Sequence, residues 1–431
     1  MELIKEVFKN EVFPALGCTE PIAVAWACAH ASFCLPEEPQ EVRVTVDPGV
    51  YKNGFAVTVP NTGGRRGNAI SAVLGVLIRN PALEMEILRD VTPQQVHKAE
   101  TWIQQGRVHI QLDRKQRGFF VHAEVRGNNH TTMALIEGSH RRLVRLECDG
   151  QIVQTLTESE VAPPAYREQL KSMKLLDFVE LARNIDEHDE AFLREGIFMN
   201  LHIARAGLGC RRVGHYLADL RERGYLIDDV LSSTRILTAS AADARMGGVA
   251  MPVMSSGASG NQGIVAILVP YNVGRYFKVD ERRIIESIAF SHLVNAYVKC
   301  YTGSLSPLCG CAIASGVGAA AAIVYQLAGA DERAIRLAVN NVVSDLGGML
   351  CDGAKSGCAL KVASSTESAI LAAYMAISGH GIDETEGFVG RSAEETIWNL
   401  STIGHLGMAM ADDTMLRIME EKVASFSDPM K

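Results

Sequence analysis

The 431-residue chain carries no basic block, no low-complexity tract and no repeat of fixed period. Its formal charge of −8 is spread along the chain, so nothing attracts a phosphate backbone or an anionic membrane, and nucleic acid is not an expected partner. The first residues, MELIKEVFKNEVFPALG, lack the apolar stretch and small-residue cleavage site of a secretory signal. A cytoplasmic location is expected. Two long segments, Met246 to Gly274 and Ser304 to Ala330, have almost no charge, but their Gly, Ser, Ala, Asn and Gln content predicts tightly packed buried backbone and no membrane span. With 47% apolar and 21% charged residues, the chain has enough apolar material for a large core and for two or three domains.

Period-two alternation runs from Gln40 to about Val161, in EVRVTVDPG, GFAVTVPN, RVHIQLD, FFVHAEVRGNN and HRRLVRLECDG, and predicts a sheet. Helical stretches at Asn68 to Arg79 and Thr92 to Gln105 interrupt it, the second with Thr92 as N-cap and Pro93 as first helical residue. After Pro163 the pattern becomes helical, with helices predicted over Tyr166–Arg183, Asp189–Ala206, Asp228–Ala242, Glu281–Cys300, Cys311–Leu327 and Asp331–Val343. The expected fold is α+β: a mostly helical catalytic domain over 163–431 with an inserted sheet-containing domain over 39–162. A helical segment within 1–38, Glu20 to Phe33, is expected to pack on the helical domain.

Ten cysteines in a chain without an export signal point to metal or catalysis more than to disulfides. Cys28, Cys34, Cys148, Cys210 and Cys300 have no partner at ligand spacing and read as structural. Cys351 and Cys358 lie in GGMLCDGAKSGCALKVASS, with Cys309 and Cys311 upstream in LSPLCGCAIASG. Thiolates are soft ligands for iron–sulfur clusters and zinc, and the glycines beside them let backbone amides approach. The spacing matches neither a ferredoxin nor a zinc ribbon, so buried structural cysteines remain an alternative. Cys18, in PALGCTEP, sits before a helix capped by Thr19, where the dipole is expected to favour its thiolate as a ligand or base.

Between Met246 and Ile264, MGGVAMPVMSSGASGNQGI precedes a helix beginning near Asn261 and reads as a small-anion cradle, without the Gly-Lys-Ser or Gly-Lys-Thr ending of a phosphate loop. His292, Lys299 and Thr302 precede the cysteine pair and are candidates for the same cavity. No Ser, His and Asp triad can be assembled.

Taken in order, ALGCTEP, SSGASGNQGI, LSPLCGCAIASG and LCDGAKSGCALK resemble the L-cysteine desulfidase family, which is similar to the iron–sulfur L-serine dehydratase alpha domain. The resemblance implies a 4Fe-4S cluster held by three cysteines, which map onto Cys311, Cys351 and Cys358, with Cys309 as the alternative to Cys311. It implies a lyase that eliminates the β-substituent of a small amino acid, giving pyruvate and ammonia with hydrogen sulfide from L-cysteine or water from L-serine. Cys18 is the expected base, and Ser255, Ser256, Asn261 and Gln262 are expected to hold the carboxylate and amine. The sequence ends FSDPMK, without the terminal cysteine of many serine enzymes, which tilts the expectation toward cysteine. Two other readings predict different chemistry: pyridoxal phosphate on Lys355 or Lys361, and a non-catalytic protein whose thiolates hold zinc or simply pack. A homo-oligomer is compatible with either.

Overall fold

In the strand β4 (Phe120–Arg126), Val121, Ala123 and Val125 are fully buried while the residues between them are partly exposed, the signature of a sheet with one face on a core. The computed structural model, which describes residues 2–156, 164–303 and 305–426, builds this sheet from six strands. They are β2 (Glu41–Val46), β3 (Val108–Leu112), β4, β5 (Thr131–Glu137), β6 (Leu143–Cys148) and β7 (Gln151–Thr155), in the order β3-β2-β4-β5-β6-β7. β2 and β3 run parallel and every other neighbouring pair antiparallel. The parallel pair needs a crossover, which α3 (Pro48–Asn53), α4 (Asn68–Ile78) and α5 (Pro93–Gln104) supply. Thr92 caps α5 as expected, its hydroxyl accepting from Gln95 N at 3.3 Å while the Gln95 side chain accepts from Thr92 N at 2.9 Å.

Two expectations for this half are corrected. GFAVTVPN forms no strand; Thr58 makes one isolated bridge with Arg66, because Val57, Thr58 and Val59 are all buried and the segment has no solvent face to alternate toward. The helix α2 (Thr19–Cys34) packs on the sheet and α4, not on the helical domain. Ile22 to Ala29 share one core with Val42, Val44, Val121 and Val125. The N-terminal helix that joins the helical core is α1 (Glu2–Glu11), through Leu3, Ile4, Val7 and Phe8. The short pairing of β1 (Pro14–Leu16) with β8 (Pro252–Met254) ties the two halves together, so the inserted unit begins with α2. The predicted boundary at 162 and 163 lies outside the described residues.

The second half is a bundle. Its helices are α6 (Ala165–Lys171), α7 (Leu175–Arg183), α8 (Glu187–Leu208), α9 (Val213–Glu222), α10 (Val230–Met246), α11 (Gly260–Tyr276), α12 (Glu281–Thr302), α13 (Ala314–Ala328), α14 (Glu332–Leu346), α15 (Cys358–Ile377), α16 (Ala393–Thr402) and α17 (Ala409–Phe426). The single helix expected over Tyr166–Arg183 is broken at Ser172 to Lys174, because Lys174 turns extended and Asp177 folds back onto its amide at 2.9 Å, starting α7 afresh. The two uncharged segments become α11 and α13, buried along nearly their whole length among α10, α12, α14 and α15. Among the described residues no helix is long and apolar enough to cross a membrane.

The small residues of α11 have a geometric reason. A Cβ at Gly263 would stand 2.0 Å from Met254 O, so α11 can lie against β8 only with glycine there. Asn200 of α8 closes the same junction: its amide donates to Met254 O at 3.3 Å and Gly263 O at 3.2 Å, and its Oδ1 accepts from Met254 N at 2.8 Å.

Candidate active site

A hairpin-like contact brings the cysteine segments together. Leu308 bridges Leu350 antiparallel, Cys309 N donates to Met349 O at 2.9 Å, and Cys351 N donates to Pro307 O at 2.7 Å. Diagonal neighbours across such a pair share a face. The Cys309 thiol contacts the Cys311 sulfur at 3.5 Å, and Cys309 and Cys351 are such diagonal neighbours. Cys358 opens α15 and packs with Cys18, Val57, Met246 and Ala354.

These four thiols face one cleft between the two halves of the chain. Its other walls come from both halves of the chain: Cys18, Glu20, Lys52, Asn53 and His140 from the sheet side, Arg245, Asn261, Gln262 and Lys299 from the bundle. All ten cysteines are free, so the cleft presents a soft donor set. The sulfurs are not drawn to one point. Among the described residues, the only three His, Cys, Asp or Glu donors within 4.8 Å of one another are Asp186, His188 and Asp189, at the capped start of α8 and neutralised by Lys5. Thiolates closing on one zinc at about 2.3 Å would stand about 4 Å apart, so the spread suits a polynuclear centre better.

Cys18, not the expected Thr19, is the N-cap residue of α2, which begins at Thr19 without a side-chain cap, and its surroundings work against a thiolate. Burial pushes its thiol well up, and the Glu20 charge adds to this, with Arg245 opposing. The Cys18 thiol donates to Glu20 Oε2 at 2.9 Å. For Glu20, burial disfavours the charge, yet contacts from His140 and Cys18 outweigh it and hold the carboxyl at about 2. His140 Nε2 lies 3.5 Å from Glu20 Oε1, and Asn53 donates to the same oxygen at 3.2 Å. The resting pair is thus a thiol beside a carboxylate, which corrects the expected low thiol pKa: a single helix terminus is outweighed by full burial and an adjacent anion.

Of the four residues expected to hold substrate, Asn261 and Gln262 line the cleft, and each has a buried side-chain oxygen without a partner. Ser255 and Ser256 do not line it. Ser255 Oγ donates to Glu11 O at 3.2 Å and accepts from Phe13 N at 2.9 Å, and Ser256 Oγ is engaged by His292 Nδ1 and Asn295 Nδ2, both at 2.8 Å. These two hydroxyls pin the loop beneath Gly257. Lys299 does face the cleft, and burial pulls its ammonium down to about 8. His292 and Thr302 are buried beside it without reaching the cleft lining. Lys361 and Lys355 are both engaged by Asp352, Lys361 at 2.6 Å, so neither stands as an unpaired amine.

Arg245, Glu20, His140, Lys52 and Asn53 were not singled out from the sequence as cleft residues. The CTEP motif carried a signal for Glu20; the others had none.

Free thiols on one wall and unpaired polar groups on the other define a site for chemistry on a small polar molecule. The chain belongs to the serine dehydratase alpha chain family, whose model matches residues 82–417. This membership supports a dehydratase-type lyase. A UPF0597 protein of Geobacter sulfurreducens is 56% identical over 98% of this chain and 99% of its own length. One of Elusimicrobium minutum is 48% identical, covering 98% and 100%, and one of Clostridium tetani 37% identical, covering 97% and 98%. Their shared name states no activity. No solved structure matches the chain.

Proposed function

We propose that this protein eliminates the β-substituent of a small L-amino acid, L-cysteine foremost, releasing pyruvate, ammonia and hydrogen sulfide; L-serine, releasing water, is the second candidate. What supports this reading is one observation: a single cleft joins Cys311, Cys351 and Cys358 to the Cys18–Glu20 pair and to the unpaired oxygens of Asn261 and Gln262. Cys311, Cys351 and Cys358 would hold a 4Fe-4S cluster, with Cys309 beside Cys311 as the alternative ligand. When bound, such a cluster with three protein ligands supplies an open iron, a Lewis acid for the leaving group.

The chain's own part is proton handling and orientation. Cys18 acts as base toward the α-proton once its own proton has passed to Glu20 Oε2, to which it is already hydrogen-bonded. Arg245 favours the thiolate, and a substrate ammonium in the cleft adds a second cation to the same effect. The pair from the broken Cα–H bond forms Cα=Cβ as the Cβ–S bond breaks, and sulfur leaves with that bond's electrons. The product, 2-aminoacrylate, tautomerises to an imine that water hydrolyses to pyruvate and ammonia. Asn261 Oδ1 and Gln262 Oε1 are the acceptors for the substrate ammonium.

The test is anaerobic purification followed by a visible spectrum before and after L-cysteine, with pyruvate and sulfide assayed in parallel and L-serine as comparison. A broad absorbance near roughly 400 nm that changes with substrate, together with pyruvate formation, is the expected result. A colourless protein, inactive after anaerobic reconstitution with iron and sulfide, overturns the reading in favour of zinc or a packing role.

A further inference from the structure

Arg245 lies in the last turn of α10 and is only 3% exposed. Its Nε is buried without a hydrogen-bond partner. The guanidinium rests against the first residue of α11: a Cβ built on Gly260 would stand 2.3 Å from Arg245 Nε and 2.8 Å from its Cζ, so glycine there is what admits the arginine. The same helix start has no side-chain cap, since Ser259 makes no capping bond. Ser259, Asn261, Gln262 and Arg245 all line the cleft.

This juxtaposition is electrostatically unfavourable by itself. The first turn of a helix carries unpaired amides and a partial positive charge, and placing a guanidinium beside it adds like to like. Burying that guanidinium with an unpaired donor adds a desolvation cost. A single anion seated between them removes both deficits: it accepts from the helix amides and from the arginine together. We propose that the α11 N-terminus and Arg245 form a carboxylate site that holds the α-carboxylate of the amino acid bound in the cleft. The identity of that ligand rests on the elimination reading above; the anion site itself does not.

The arrangement also orients the substrate. A carboxylate at Arg245 and the α11 amides, with the ammonium on Asn261 Oδ1 and Gln262 Oε1, fixes two of the three polar substituents of an α-amino acid. The third branch, the β-carbon, is then left for the thiol wall. Amines without a carboxylate lose this anchor.

The experiment is isothermal titration calorimetry on anaerobically prepared, metal-loaded protein, using pyruvate as a charged probe and methyl pyruvate as its uncharged counterpart. Wild type is expected to bind pyruvate and to discriminate against the ester. Arg245→Gln is expected to weaken pyruvate on the order of 10- to 100-fold, the loss of a charge-assisted hydrogen bond, without changing the ester. The same variant is expected to raise KM for L-cysteine, and to lower kcat as well because Arg245 also favours the Cys18 thiolate. Should Arg245→Gln fail to fold by circular dichroism, Arg245→Lys, which keeps the charge but loses the fork, and Gly260→Ala, which displaces the guanidinium, carry the test with losses in the same direction.

Pyruvate affinity and KM within twofold of wild type in a folded Arg245 variant that still makes pyruvate from L-cysteine overturn the anion site and leave the lyase reading standing. Arg245-dependent pyruvate binding in a protein that eliminates nothing from cysteine or serine supports the anion site and refutes the lyase reading.

Discussion

The thiol of Cys18 donates a 2.9 Å hydrogen bond to Oε2 of Glu20, a carboxylate whose other oxygen accepts from Asn53 at 3.2 Å. The two residues are on the first turn of one helix, so their pairing is local, yet it reverses what the helix terminus alone would do to the thiol. The pair makes Cys18 a group that exchanges a proton, not a standing thiolate. Cys18→Ser should therefore keep the visible absorbance of the holoenzyme and lose turnover by about 100- to 10,000-fold, the usual range for a positioned base. Spectra and steady-state rates on the same anaerobic sample check it; a serine variant with wild-type turnover would exclude Cys18 as base.

The four cleft cysteines should separate by function. Cys311 is the partly exposed member of the CGC pair, whereas Cys309 is 1% exposed within the apolar core. Serine at Cys311, Cys351 or Cys358 is expected to abolish the absorbance near roughly 400 nm, because alkoxide replaces a soft donor. Cys309→Ser should retain it. Iron and sulfide content per chain gives the readout, and the opposite ranking of the 309 and 311 variants would exchange their roles.

His292 makes stability depend on pH. Burial depresses its folded-state pKa to about 3, below the ordinary value near 6.5, so the unfolded chain binds the proton more readily. The stability it contributes is complete above about pH 6.5 and is lost as pH falls through that window toward 3, at up to about 1.4 kcal/mol per pH unit. His30, held at about 4 by burial, acts in the same direction. Urea unfolding between pH 7 and 5 should show a shallower loss for His292→Gln than for wild type; equal slopes would contradict the assignment.

Gly263 tests the junction under the site. An added methyl would meet Met254 O at 2.0 Å, a backbone atom fixed by the β1–β8 pair, so it cannot be accommodated by a rotamer change. Gly263→Ala should cost about 1–3 kcal/mol or more, the range for overpacking, seen as a lower urea midpoint. An unchanged midpoint would mean that α11 can slide away from β8.

Local patterning carried much of the fold. Alternation in EVRVTV, VHIQL, FVHAEVR and LVRLEC predicts four strands of the sheet, and Thr92, Asp280 and Asp331 cap the helices that follow them through side-chain bonds to their first-turn amides. Other elements escaped it. The helices α1, α9 and α16 were not expected, because ten-residue stretches offer too few turns to show a period, and the longer α15 and α17 were not expected either. The burial of α2 against the sheet was not legible either: a helix that is apolar all round states that it is covered, not by what.

The sequence by itself determined which chemistry was available: soft thiols beside glycines, an amide-rich loop before a helix, and a cysteine at a helix start. Whether these meet, and which charges meet them, was decided by the tertiary structure alone. Glu20 and His140 lie far apart in sequence and meet within the sheet unit, Arg245 and Cys351 likewise within the bundle, and the two pairs face one cleft only because the sheet unit closes onto the bundle. An unsatisfied guanidinium is not a property of an arginine in a sequence. It arises when packing removes water from Arg245 without supplying a partner, and only the folded chain shows that.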